Sequence, residues 1–276
     1  MNIGVGLPTT TPGADGALVI EWAQRADAGP FSSVAVLDRV AYGNLEPFTA
    51  LAATAAATTR VRLATMIVIG PLRSTALLAK QAASVQTLSG GRLTLGLGIG
   101  ARVEDYEVAG VEHRGRGRRF SEQLAYLRGR VDEDRVGPTR EGIELLVGGS
   151  SGPAFARMAR YADGYAHGGG PPRAFTGAAT RAEAAWRDLG RPGRPRLWGQ
   201  GYFALGDVER GNSYLRDYYA FTGPFAERIV AANLTSAREV RDFARGYEEA
   251  GCDELVLFPT VSDAAELDRL AEAVAP

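Results

Sequence analysis

Cysteine, histidine and lysine are nearly missing from this chain. Its 276 residues include one cysteine, Cys252, two histidines, His113 and His167, and one lysine, Lys80. A single cysteine excludes an internal disulfide and a thiolate metal cluster. Two histidines give no basis for a multi-histidine metal site, so no metal is expected. One lysine confines any Schiff-base chemistry to Lys80. The other basic residues are arginines; with abundant Ala and Gly they read as GC-rich coding bias, so their number carries no functional weight. Charge of one sign is missing too. The net charge of −1 comes from 31 basic and 32 acidic residues, spread without blocks, which gives little support to a nucleic-acid or anionic-membrane surface. No apolar run approaches a membrane span, and MNIGVGLPTT lacks a basic n-region and an apolar h-region. The expectation is a soluble cytoplasmic protein.

With 45% hydrophobic and 23% charged residues the composition is that of a globular chain. Short aliphatic runs alternate with longer Ala-rich stretches of helical period, the pattern of an α/β fold with a parallel sheet. Strands are predicted at Ile3–Leu7, Ser33–Leu37, Val61–Ile69, Leu93–Leu97, Ile143–Val147, Gly164–Ala166, Arg196–Leu205 and Glu254–Phe258. Helices are predicted at Ala17–Ala28, Pro47–Thr58, Ser74–Leu88, Arg119–Arg128, Ser151–Ala162, Ala174–Leu189, within Asn212–Ala250, and at Asp263–Val274. Ser74, Ser151 and Ser236 stand where N-caps belong, the last with Glu239 at capping-box spacing. Eight such repeats suit one (β/α)8 TIM barrel, about 250 residues in general. An open doubly wound sheet is the runner-up, because periodicity does not show closure. No low-complexity linker divides residues 1–276, which reads as one domain; the loop-rich segments, Val136–Gly142 among them, fall between elements.

In a barrel the C-terminal strand ends carry the site. The segment Leu88–Val111 ends a helix at Ser89-Gly90-Gly91, then alternates Gly96, Gly98 and Gly100. The spacing is G-x-G-x-G rather than G-x-G-x-x-G, so the dinucleotide fingerprint is not met. Alternating glycines strip one strand face and admit either a planar ligand or close barrel packing. In Glu144–Tyr165 a strand runs through Gly148, Gly149, Ser150 and Ser151 directly into a helix. That turn suits a phosphate and equally an ordinary Ser cap. Asp38 and Arg39 end a strand, as a ligand-orienting pair or a surface pair. His167 ends another, as a ligand contact or a loop residue. Arg114, Arg116, Arg118 and Arg119 form a basic cluster that suits an anion or a solvated helix start.

Together these segments resemble the luciferase-like monooxygenase superfamily of flavin- and deazaflavin-dependent barrels. The resemblance spans nearly the whole chain, from IGVGLP through TTRVRLAT, LLAKQ and LSGGRLTLGLGIG to VGPTREG, ADGYAHGGGPP and CDELVLFP. It implies a near-minimal luciferase-like barrel with short insertions that binds reduced FMN or coenzyme F420. By it, Thr65, Met66 and Ile67 lie against the cofactor ring, often at a non-proline cis peptide, and Gly98 and Gly100 flank the cofactor tail. Gly149, Ser150 and Ser151 match the phosphate-binding turn, and His167 joins the cofactor-binding set. Asp38 and Arg39 match a position where many relatives carry an acidic residue followed by histidine, which makes them the candidate catalytic residues. Arg39 removes that imidazole. The long lid insertion of many relatives is also missing before VGPTREG.

The function so implied is a flavin-dependent monooxygenase using reduced FMN and O2 on a small organic substrate. One alternative is F420-dependent hydride transfer; another is a non-catalytic flavin-binding relative. A metal-independent aldolase or isomerase on the same barrel is opposed by the scarcity of lysine. With no nicotinamide fingerprint, a separate flavin or F420 reductase is the expected partner. The Ala-rich helices Pro47–Thr58 and Ser74–Leu88 are candidate faces for a homodimer.

Overall fold

A computed structural model describes residues 1–129 and 142–275. Every strand pairing is parallel. The strands are β1 (Asn2–Gly6), β2 (Ser33–Val36), β3 (Arg62–Thr65), β4 (Val68–Ile69), β5 (Leu93–Gly98), β6 (Glu144–Gly148), β7 (Gly164–Ala166), β8 (Arg196–Phe203) and β9 (Glu254–Pro259). They run β3-β2-β1-β9-β8-β7-β6-β5-β4, and β3 also pairs with β5, so the sheet closes on itself. β3 and β4 are two pieces of one stave, and the result is a closed (β/α)8 barrel rather than an open doubly wound sheet. The predicted strand Val61–Ile69 is therefore interrupted. Its break lies at Met66–Ile67, whose peptide bond is cis.

Alternation along each strand makes two cores. Ala35, Ala64, Leu146, Ala166, Trp198 and Val256 point into the barrel. Their neighbours Val34, Val36, Leu145, Val147, Leu197, Leu255 and Leu257 pack outward against helices. The period-2 signal is weak in the sequence because both faces are apolar, as in buried parallel strands.

The helices are α1 (Gly16–Ala28), α2 (Pro47–Ala57), α3 (Thr75–Leu88), α4 (Val103–Val108), α5 (Arg116–Arg128), α6 (Gly152–Tyr161), α7 (Pro172–Asp188), α8 (Val208–Tyr218), α9 (Ala226–Val230), α10 (Ala237–Glu249) and α11 (Ala264–Val274). The Ser236 cap forms, accepting from the Glu239 N–H at 3.2 Å, while Glu239 reaches back to the N–H of Thr235 at 2.7 Å. Ser74 and Ser151 precede their helices without a side-chain cap bond. The region 212–250 resolves into the end of α8, a 3₁₀ turn at Ala220–Phe225, α9 and α10. The short helix α4, not foreseen, sits just after β5. VGPTREG and the loop Val136–Gly142 lie almost wholly outside the described residues. Among the described residues, no helix is long and apolar enough to cross a membrane.

Candidate active site

At the C-terminal ends of the strands a cavity of about 390 Å³ opens inside the barrel mouth. One wall is Met66 and Ile67 at the stave break. Three glycines make room for that wall. A Cβ at Gly98 would lie 2.0 Å from Ile67 Cδ1, one at Gly148 2.9 Å from the same atom, and one at Gly96 3.0 Å from Ile67 Cγ2. The alternating glycines of β5 therefore seat a side chain, and Gly98 does not itself line the cavity. Gly100 does, with φ +67 and Ile69 directly behind it. Thr65 is fully buried and locked between strands. Its Oγ1 donates to the carbonyl of Gly96 at 2.7 Å and accepts from the same residue's N–H at 2.8 Å. It anchors the wall without facing the cavity.

A second side is the turn after β6. Gly149 and Ser150 line the cavity and Ser151 lies one residue beyond. Gly149 has φ +126, where a side chain is strained, and a Cβ there would lie 2.8 Å from Ala154 Cβ. Directly after this turn α6 starts, so its positive dipole end stands beside the cavity; Pro153 has no N–H, and the N–H groups of Ala154 and Phe155 already donate to the Ser151 carbonyl, at 2.9 and 3.2 Å.

His167, just after β7, lines the cavity opposite an apolar frame. Its ring sits edge-on to Phe175 at 5.5 Å, and Nδ1 is 3.5 Å from the Tyr165 hydroxyl. Nε2 is buried and has no partner. Burial lowers its pKa to about 4; the backbone of Gly169 opposes the shift and the Arg181 cation adds to it. The imidazole is therefore neutral near pH 7. Beside it Gln200 donates to the Gly168 carbonyl at 3.3 Å.

Asp38 and Arg39 separate. Asp38 lines the cavity, but its carboxylate is already engaged, accepting from the N–H of Ile69 at 2.9 Å and from Arg73 at 3.1 Å. Burial pushes its pKa up and Arg73 pulls against that. Arg39 is buried outside the cavity lining. Its Nε bonds both oxygens of Asp105, at 2.9 and 3.2 Å, and Nη2 bonds Glu104. Asp105 also accepts from the N–H groups of Val40 and Ala41, at 2.9 and 2.8 Å. Arg39 is a strut of this loop, because two carboxylates hold it there and one of them, Asp105, is itself fixed by two backbone donors. Arg114, Arg116, Arg118 and Arg119 do not line the cavity; Arg119 instead donates to the carbonyls of Arg114 and Glu112 at the start of α5.

Several lining residues were not foreseen. Arg102, two residues after Gly100, stands over the rings of Tyr218 (4.6 Å), Tyr219 (5.5 Å) and Phe221 (4.2 Å). Its Nη2 donates to the Tyr218 carbonyl at 3.0 Å. With Tyr219, whose hydroxyl is 2.6 Å from that of Tyr202, these rings roof the mouth. Among the described residues, this roof is built from the segment that follows β8. Two signals point to these positions in retrospect: a glutamine inside the otherwise apolar strand LWGQGYF, and the aromatic run YYAF.

The comparisons agree with this architecture. The family model for luciferase-like monooxygenases matches residues 1–251. The chain is similar to an uncharacterized protein of Mycobacterium tuberculosis, 35% identical over 196 residues, covering 57% of this chain and 67% of that one. Among solved structures it is similar to an F420-dependent secondary alcohol dehydrogenase in complex with an F420-acetone adduct, with TM-score 0.82, 18% identity, and coverage of 100% of this chain and 99% of the other. It is also similar to the FMN-bound oxygenating constituent of 3,6-diketocamphane monooxygenase from Pseudomonas putida, with TM-score 0.72, 16% identity, and coverage of 100% and 99%. The match over residues 1–251, on a closed barrel with this mouth, places the chain in the luciferase-like monooxygenase family.

Proposed function

We propose that the chain is a flavin-dependent oxidoreductase that uses reduced FMN and O2 on a small organic substrate. The observation carrying this reading is one cavity that joins a flat apolar wall, Met66 and Ile67, to an anion-accepting turn, Gly149 and Ser150. The residues suit such a cofactor. The wall offers a face for a planar ring, the turn offers unpaired N–H groups for a phosphate, and the orphaned Nε2 of His167 lacks only a ligand partner. Cofactor chemistry would supply the electrons, to O2 from reduced FMN or as hydride to substrate from reduced F420. The F420 reading is the second one, supported by the F420-dependent dehydrogenase that shares this fold.

The chain's own residues would bind, orient and exclude water. Neutral His167 offers a hydrogen bond at Nε2, in place of the imidazole that Arg39 does not provide. Gln200 offers an amide beside it. The roof of Tyr218, Tyr219 and Phe221 shields the mouth. Reduction of the cofactor would fall to a separate reductase, since the chain has no nicotinamide fingerprint. Titration of the purified protein with FMN, reduced FMN and F420, followed by flavin or deazaflavin absorbance, tests the reading. Saturable binding of either reduced cofactor with substrate-dependent turnover is the expected result. Binding of none rejects it, and turnover with F420 alone selects the second reading.

A further inference from the structure

Two arginines flank the roof, and their electrostatic situations are opposite. Arg39 is neutralised by Glu104 and Asp105 and is buried away from the cavity. Arg102 lines the cavity and belongs to none of the ion pairs found among the described residues. Of its five N–H donors, Nη2 meets the Tyr218 carbonyl and Nε is buried without a partner. Its guanidinium carbon lies 4.6 Å from the Tyr218 ring centre and 4.2 Å from that of Phe221, which holds the head group among the rings, and one of its nitrogens is engaged by the Tyr218 carbonyl. A planar cation held by aromatic faces and lacking a counter-ion is arranged for a planar anion.

We propose that the substrate of this cavity carries a carboxylate, and that Arg102 holds it. The assignment to substrate rests on the cofactor-dependent reading above. In that reading a cofactor phosphate goes to the Gly149–Ser150 turn beside β6, whereas the bond to Tyr218 draws Arg102 toward the roof formed after β8. The carboxylate would meet Arg102 beneath the roof, and the rest of a small substrate would lie between the aromatic rings and the cofactor ring seated on the Met66–Ile67 wall. No bond changes at Arg102; it positions.

The test uses matched neutral and charged probes on the full chain without cofactor. Benzoate, phenylacetate, hexanoate and succinate are each compared with the corresponding amide by ligand-observed NMR and calorimetry. At least one acid is expected to bind about tenfold or more tightly than its amide, as a charge-assisted bond requires. In Arg102→Met, which keeps an apolar stem against the rings, that preference disappears while amide affinity stays unchanged. Arg102→Lys retains part of it. Arg102→Gln provides a second neutral variant should the methionine variant misfold. No acid preference in the wild type, or a preference that survives both neutral substitutions, overturns the proposal. So does a loss in Arg102→Met that falls on FMN relative to riboflavin, because Arg102 would then read the cofactor phosphate. Failure of the wild type to bind FMN or F420 would instead reject the cofactor reading, while the acid preference remains measurable.

Discussion

The two ends of the barrel use polar residues in opposite ways. At the N-terminal end, the charged strand residues are matched to one another or to hydroxyls, while the indole N–H of Trp198, in register with Glu254, has no partner. Arg62 donates to Thr94 Oγ1 at 2.9 Å, and Thr94 donates to Glu144 at 2.9 Å. Arg196 reaches Glu144 and Asp253, and Asp253 also takes Arg194 and the N–H of Leu197. Buried Glu254 accepts from Ser32 and Ser33. At the C-terminal mouth, by contrast, the Nε of Arg102 and Nε2 of His167 are buried and unpartnered. Unpartnered buried atoms also occur away from the cavity, at Trp22, His113 and Trp198 among others, but these two belong to residues that line one cavity, where a ligand's polar groups would reach them. The floor stabilises, and the mouth holds donors in reserve.

This contrast can be broken most forcefully at the floor. In Gly164→Ala the new Cβ would fall 2.2 Å from the Arg196 carbonyl oxygen, where β7 and β8 must separate. A loss of about 3 kcal/mol is expected, or failure to fold, since overpacking against backbone has no cheap relief. Chemical denaturation measures it; a loss near zero would mean the strands part freely.

A smaller effect, dependent on pH, is expected from His167. Its pKa of about 4 in the folded protein is below the ordinary 6.5. The unfolded chain therefore binds the extra proton between those values, and the folded one does not. The stabilisation is present above pH 6.5 and is lost as the pH falls toward 4. His167→Gln cannot take up that proton. Thermal melts at pH 7 and 4.5 should show the wild type losing on the order of 1–2 kcal/mol more than the variant. Parallel losses would place the imidazole in water.

The smallest stability change is expected at Arg102. Arg102→Met removes a cation that no carboxylate balances and keeps contact with the rings, so denaturation should move by less than about 1 kcal/mol. A larger loss would make Arg102 a strut like Arg39, and the mouth would then resemble the floor.

The barrel was legible because its staves are apolar runs at regular intervals, and the place of the turn Gly149–Ser150 at a strand–helix junction was legible too, where glycine and serine suit an ordinary cap as readily as a phosphate. The role of Gly98 was not. An absent side chain leaves room, and only the structure shows that Ile67 fills it. The fates of Asp38 and Arg39 were equally hidden, since their partners Arg73, Glu104 and Asp105 lie far along the chain. The roof escaped notice because YYAF falls inside Asn212–Ala250, a stretch read only as containing a helix, with no strand end to mark it. Arg102 did not stand out in an arginine-rich chain, because what distinguishes it is a place on the cavity wall among aromatic rings with no carboxylate paired to it, a property of space and not of sequence.

Because the chain has two histidines, imidazole NMR reads the mouth with an internal control. His113 packs edge-on against Tyr106 at 5.0 Å, with Nδ1 beside Arg116, and does not line the cavity. The central claim is that His167 keeps a donor or acceptor free for a cofactor. On adding FMN or F420, the His167 imidazole nitrogen resonances should shift with saturation while those of His113 stay in place. Movement of His113 alone, or of neither at saturating cofactor, would contradict the account.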